Sequence, residues 1–539
     1  MRVRKKAFVI FVLFLLLSPL MVVKAAKEIP PREEEQEKTE IQYLWWLLPW
    51  SDDQDVQCQV VVYHPDMPTP EEIFSSCGWD LYRSWINTPA CPAALENQDT
   101  AECEGYYLMF VGAQEVTHTV TVTYPPPTVE LKLSTSCEPD LPHYICPQPV
   151  RLVLQGVEFF PKAYITSIYT KVSPAAEVSC NTADCVVTLS SQEKDEETIY
   201  HLSFGATSSW GDRTPRYTAT VRLTKQQDTD KVIVDVLSSQ WVDTGRDLCA
   251  QAWDVFPPVP APVWATTPMD PEALRTDNPY ALLAEQLVQH GLVDSENCSQ
   301  GGVTGDGISS CGRTNARVVV KEWQNRFDEP LLNAALDAGI PAVLFKRVIA
   351  HESQFWPGNY PDTVEVGFGH LSPQGADTLF LWDVQYFGVL CEQILAPWVC
   401  RRGYLQLGPE EKELLYNSLW VQANLSCSNC SHSLDLRRAP ESLSMFAHLM
   451  KAHCYQTGQT VTNLTRRSPG RVTSYEDMWR FTLANYNGPN CIYQALRETS
   501  KSKEPLDWEH VSSHFSEACE SVRGYVETIL PSSEDAGKK

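Results

Sequence analysis

The sequence predicts a multidomain chain, with two all-β sandwiches in front and a mainly α-helical domain behind. Three observations predict it. From about 56 to 224, apolar and β-branched residues alternate at period two in short runs, separated by Pro, Asn, Asp and Gly clusters. From Asn315 onward the spacing turns helical, in A-R-V-V-V-K-E-W-Q-N-R-F and then L-L-N-A-A-L-D-A-G. Between the two lies F-P-P-V-P-A-P-V-W at 256–264, a stiff polyproline stretch that reads as an extracellular spacer within a Pro-rich linker, 225–278.

The front of the chain reads as exported. Arg2, Arg4, Lys5 and Lys6 precede an apolar run from Ala7 to Val23, and Val23-Lys24-Ala25 offers a small-residue cleavage site. Residues 1–26 are therefore a signal peptide or an uncleaved anchor, the latter giving membrane attachment through 7–23. Eighteen cysteines, an even number, are spread through the rest and suit a disulfide framework in an oxidising compartment. The location expected is extracellular or cell envelope. A net charge of −25 argues against a nucleic-acid partner.

Residues 27–55 are polar and charged and read as a disordered tether, closing on the Trp-rich Y-L-W-W-L-L-P-W at 43–50. With no basic flank, that segment is expected to pack on the next domain, an interfacial membrane contact being the alternative. The first sandwich is placed at 56–125 and the second at 126–224, joined at Pro125-Pro126-Pro127. Y-L-M-F-V-G-A at 107–113 is echoed by Y-H-L-S-F-G-A at 200–206, and the offset of Phe204 from Phe110 is about one immunoglobulin-like domain. Nothing in the sequence names a partner for the sandwiches.

The helical domain is placed at 279–530. Asn278-Pro279 opens its first helix, and Gly339 stops a later one. Ile340-Pro341 then starts a helix on which Leu344, Val348 and Glu352 share one face, with Trp356-Pro357-Gly358 ending it. An acid on an apolar face is unusual. The helix C-terminus and burial both favour its protonated form, which a general acid requires.

Three motifs then fall in order: H-E-S-Q-F at 351–355, G-F-G-H-L-S-P at 367–373 and A-N-Y-N-G-P at 484–489. They resemble the E-S-x-F, G-L-M-Q-L-M-P and A-A-Y-N-A-G-P motifs of the soluble lytic transglycosylases, lysozyme-like enzymes that cut peptidoglycan. The resemblance covers about 315–500. It implies a lysozyme-like fold, peptidoglycan glycan strands as the partner, no cofactor and no metal. Glu352 would be the single acid and base, cleaving the β-1,4 bond and closing a 1,6-anhydro ring on N-acetylmuramic acid. Ser353, Gln354, Phe368, Gly369, His370, Leu371, Tyr486 and Asn487 would bind substrate or hold the site.

The chain departs from the family at four places. His370 stands where Gln is usual. The Tyr486 turn lacks a residue before Gly-Pro. About 379–430 is an insertion carrying Cys391, Cys400, Cys427 and Cys430, where Cys427-x-x-Cys430 with His432 is read as a disulfide ahead of a metal site. Glu365 replaces a small residue and supplies a possible second carboxylate, with Asp362 behind it, which would make the enzyme a hydrolase. A non-catalytic glycan-binding module and a scaffold or adhesin are the readings from other classes.

Overall fold

The computed structural model describes residues 30–52, 54–88, 103–174, 177–192, 196–226, 229–358, 365–427 and 430–531. The export segment lies outside them. A β-rich region over roughly 30–240 is followed by a mainly helical half. No helix among the described residues is long and apolar enough to cross a membrane.

The expected tether is instead a long strand. β1 (Glu33–Pro49) pairs antiparallel with β2 (Cys58–Val62) and, along its whole length, with β3 (Tyr106–Thr123). Its glutamates disfavour a strand locally, but the Thr- and Val-rich β3 supplies the ladder, and Thr39 and Thr117 hydrogen bond across it at 2.9 Å. Among the described residues the expected first sandwich is likewise one sheet of order β2-β1-β3, packed with a helix. That helix, α1 (Pro70–Ile86), opens with a capping box between Thr69 and Glu72 and is tied to β2 by Cys58–Cys77. Ile73 packs with Val60 and Val62 in a small core. The Trp-rich segment packs within this unit, Trp45 against Phe110 and Trp50 stacked on Tyr107.

The second β unit has two antiparallel sheets over one core. It comprises β4 (Thr128–Leu133), β5 (Glu138–Asp140), β6 (His143–Pro147), β7 (Val150–Val157), β8 (Ile165–Ser173), β9 (Glu177–Cys180), β10 (Asp184–Leu189), β11 (Glu197–Ser208), β12 (Tyr217–Lys225) and β13 (Lys231–Leu237). The sheet orders are β10-β7-β4 and β5-β6-β13-β12-β11-β8-β9. Phe204 is wholly buried here, whereas Phe110 is 50 % exposed, so the sequence echo does not mark equivalent core positions.

Arg32 fastens the start of β1 to this unit. It donates to both Asp212 oxygens at 2.8 Å and to Glu158 Oε2 at 3.0 Å. Burial alone would raise the Glu158 carboxyl, but bonds from Arg32, Ser208 and the Phe160 amide outweigh it and hold the pKa at about 2. A depressed carboxylate stabilises the fold fully above its unfolded value of about 4.3 and loses that contribution as pH falls through about 2. Wild type should therefore exceed Glu158→Gln by about 1.5–3 kcal/mol at pH 7, the size of a hydrogen bond to a charged group, the gap closing towards pH 2. Denaturant unfolding at pH 7, 4 and 2 checks this; a gap that ignores pH contradicts it.

Residues 225–278 are not a spacer. They hold β13, helix α2 (Leu248–Trp253) and the buried Trp264. The polyproline backbone has carbonyls with no partner of its own. Here Pro257 accepts from Arg222 at 2.5 Å and Pro258 faces His143 Nε2 at 3.1 Å, with Asp235 bonded to both Arg222 and His143 behind them.

The helical half follows with α3 (Ala281–Gln289), α4 (Ser310–Asn325), α5 (Asp328–Ala338), α6 (Ala342–Glu352), α7 (Pro373–Trp382), α8 (Val384–Ile394), α9 (Pro397–Cys400) and α10 (Pro409–Ala423). Then come α11 (Ala439–Thr465), α12 (Tyr475–Asn487), α13 (Pro489–Ser502), α14 (Trp508–Ser513) and α15 (Glu520–Ile529). The 27-residue α11 runs through the core and packs on α2, α5, α7 and α12. Cys249–Cys454 ties α2 to it. Within the 379–430 interval the end of α7 and α8 to α10 supply helices as far as Ala423. Cys391–Cys400 closes one of its turns, and α8 packs on α1 of the front unit.

Candidate active site

Glu352 is the last residue of α6. Leu344 and Val348 bury the same face, so the stripe that ends in an acid is a core stripe. The helix stops there, four residues before Trp356, because Gln354 and Phe355 take left-handed backbone angles, with φ of 48° and 67°. The Glu352 side chain is 12 % exposed.

Two neighbours grip its carboxylate. Tyr525 Oη, on α15, donates to Oε1 at 2.5 Å, and His370 Nδ1 lies 3.4 Å from Oε2. Burial and then the charge of Glu352 drive the Tyr525 hydroxyl well above its ordinary pKa. Tyr525 therefore stays protonated and can only donate to an ionised Glu352. The ring of His351 meets Tyr525 edge-on at 4.8 Å and limits its swing.

The motif 367–373 forms the facing loop. Phe368 and Leu371 are wholly buried, Phe368 against Phe327 at 5.0 Å, and these anchors leave His370 turned to Glu352. Ser372 then caps α7 by accepting from the Gly375 amide. Tyr486, from α12, donates to the Gly369 carbonyl and so pins the loop. A Cβ at Gly369 would lie 2.6 Å from the Phe446 ring and 2.8 Å from Tyr486 Oη, so this approach needs glycine. Burial, then the charges of Glu352 and Glu365, raises Tyr486 well above its ordinary value, keeping it a donor. Gly488 lets the end of α12 approach α15: a Cβ there would meet Val522 at 2.5 Å. That contact brings the Tyr486 and Tyr525 helices together.

Glu365, 43 % exposed, places Oε2 4.0 Å from the same His370 Nδ1. The Oε2 atoms of Glu352 and Glu365 are therefore at most about 7.4 Å apart, the sum of 3.4 and 4.0 Å. Asp362 lies outside the described residues.

Of the sequence-predicted residues, Glu352, Gly369, His370, Tyr486 and Glu365 gather at one place. Others serve the scaffold. Ser353 is fully buried and its hydroxyl donates to the Ile349 carbonyl at 3.2 Å. Gln354 Oε1 accepts from the Leu282 and Leu283 amides, satisfying the open start of α3. Phe368 and Leu371 are core residues, a correction to their reading as sugar contacts. Asn487 is exposed at the end of α12. Cys427 and Cys430 are joined in a disulfide, one of eight among the described residues, so the thiolates a metal would need are not there. Tyr525 carries no motif; its only sequence signal is its place on the apolar face of Val522, Val526 and Ile529.

Comparison with protein-family models, curated proteins and solved structures finds no match to this chain. The likeness to lytic transglycosylases therefore rests on the three motifs alone.

Proposed function

We propose that the helical half is a lysozyme-like catalytic domain and that the chain is an exported or envelope-anchored peptidoglycan lytic transglycosylase, with an immunoglobulin-like sandwich before it. One observation carries the reading: the Glu352 carboxylate, at the end of a buried helix, is held by Tyr525 on one oxygen and faces the His370 loop with the other. A protonated Glu352 gives its proton to the glycosidic oxygen as the C1–O bond of N-acetylmuramic acid breaks. The resulting carboxylate takes the C6 hydroxyl proton as O6 bonds to C1, so the 1,6-anhydro ring closes and no water is consumed. The eight disulfides among the described residues support an oxidising, exported location.

Tyr525 is a positioning residue in this scheme. A hydrogen bond to a charged group contributes about 1.5–3 kcal/mol. Tyr525→Phe should lower kcat on cell-wall glycan by roughly 10- to 100-fold and leave KM nearly unchanged. A change confined to KM would place Tyr525 in substrate binding instead.

Hydrolysis is a second reading, favoured by the Glu365–His370–Glu352 arrangement. Carboxylates roughly 6.5–9.5 Å apart suit an acid and a base with water between them, and the bound of about 7.4 Å overlaps that range. Product masses decide. Digests of purified wall by the full chain should carry anhydro ends, and Glu365→Ala should lose less than about threefold in rate if one acid does both steps. Reducing ends that vanish in Glu365→Ala would make the enzyme a hydrolase.

A further inference from the structure

A second recess lies away from Glu352, where α1 of the front unit meets α8 and α10 of the insertion. It is a cleft of about 820 Å³, within the size range of small-ligand sites. We infer that this cleft is a second glycan-binding site, taking an uncharged pyranose oligosaccharide.

Its two walls differ in chemistry. The α1 wall is aromatic: Phe74, Trp79 and Tyr82 form a mutually packed trio, with ring centroids 5.7–6.2 Å apart. The facing wall is mixed: Gln393 from α8 and Glu413 and Asn417 from α10 stand among Leu390, Ile394, Leu414 and Val421, and Gln422 Oε1 already accepts from Tyr386. A pyranose ring has the matching asymmetry. Its C–H face is apolar and lies on an aromatic ring, while its rim of hydroxyls needs donors and acceptors together, which side-chain amides supply. Among the lining residues three glutamates and two arginines nearly cancel, and Arg438 is already bonded to the Val421 carbonyl. That balance offers no cationic seat for a phosphate or a polyanion. Ile86 and Val421 stand more than half exposed, which leaves the cleft open to solvent.

The position gives the site a use. α10 also carries Tyr416, whose hydroxyl is raised by burial and then by the charge of Glu365. One side of α10 thus fronts Glu365 while another lines the cleft. The two places therefore share one helix of the insertion. A glycan bound in the cleft is thereby held on the helix whose other side fronts Glu365. The ligand class itself does not depend on Glu352 being an acid.

The test uses the full chain and tetra-N-acetylchitotetraose, titrated by calorimetry. Trp79→Ala and Asn417→Ala should each abolish one binding event or weaken it at least 10-fold, while Trp79→Phe keeps most of it. Asn417 is exposed, so its replacement leaves the fold intact. Unchanged stoichiometry and affinity in Trp79→Ala and Asn417→Ala would overturn the proposal. Trp79-dependent binding of a wall tetrapeptide, with no binding of the sugar, would overturn the ligand class. If Glu352→Gln still digests wall, the catalytic reading fails, yet Trp79-dependent sugar binding would still uphold the cleft.

Discussion

Glu352→Gln should abolish release of glycan fragments from purified cell wall, by about 10³-fold or more, with no loss of fold. Gln is nearly isosteric with Glu. Its carbonyl oxygen can still accept from Tyr525 Oη, and its amide can donate to His370 Nδ1 with the ring proton carried on Nε2, so both contacts to the side chain can be kept. Only the transferable proton is lost. A cavity or an unpaired buried group, the usual sources of large destabilisation, is not created. Released fragments measured by mass, with near-UV circular dichroism on the same sample, check both halves of the expectation. Undiminished release would remove Glu352 from the chemistry. If the wild-type chain also released nothing but sedimented with walls, the helical half would be a glycan-binding module.

The same residue shows how far the sequence could be read. The stripe Leu344, Val348 and Glu352 is local, set by 3.6-residue periodicity, and the structure buries it as that spacing implies. The loop at 367–373 and Tyr486 were legible through motif order, and they meet at the Gly369 carbonyl. Tyr525 was not legible. It stands 173 residues from Glu352 and belongs to no motif, so only the docking of α15 on α6 reveals it. Spacing also could not separate residues that face a ligand from those that hold the loop. Phe368 and Leu371 sit in the motif but lie in the core.

The front half shows the opposite failure, in which local composition misleads. Glu33-Glu34-Glu35 is a poor strand by propensity, yet it pairs with Thr121, Val122 and Thr123, far along the chain. The helix at Pro70–Ile86 was hidden by Cys, Gly and Trp within the stretch placed in the first sandwich, 56–125. For the strand the deciding partner is distant in sequence and tertiary pairing overrides local preference, whereas the helix carries its own start signal in the Thr69–Glu72 capping box.

The Pro-rich interval gives the test with the largest effect on stability. Trp253→Ala should destabilise the helical half by about 3–5 kcal/mol. The ring is wholly buried, 5.1 Å from Trp479 and 6.0 Å from Tyr475, and its Nε1 donates to the Cys454 carbonyl at 2.8 Å. Truncation would open a cavity between α2, α11 and α12 and leave that carbonyl one donor short. The Cys249–Cys454 bond holds α2 in place, so the helix cannot simply detach and relax. Trp253→Phe should cost less, since it keeps much of the aromatic packing and loses the N–H. Because the chain has more than one folding unit, the transition is followed by helical ellipticity through a denaturant titration, where the shift in the helical half is read separately. In a solvated spacer the same substitution would fall within about 0.5 kcal/mol of wild type. A midpoint that does not move would return 225–278 to the role of linker and detach α2 from the core of the helical half.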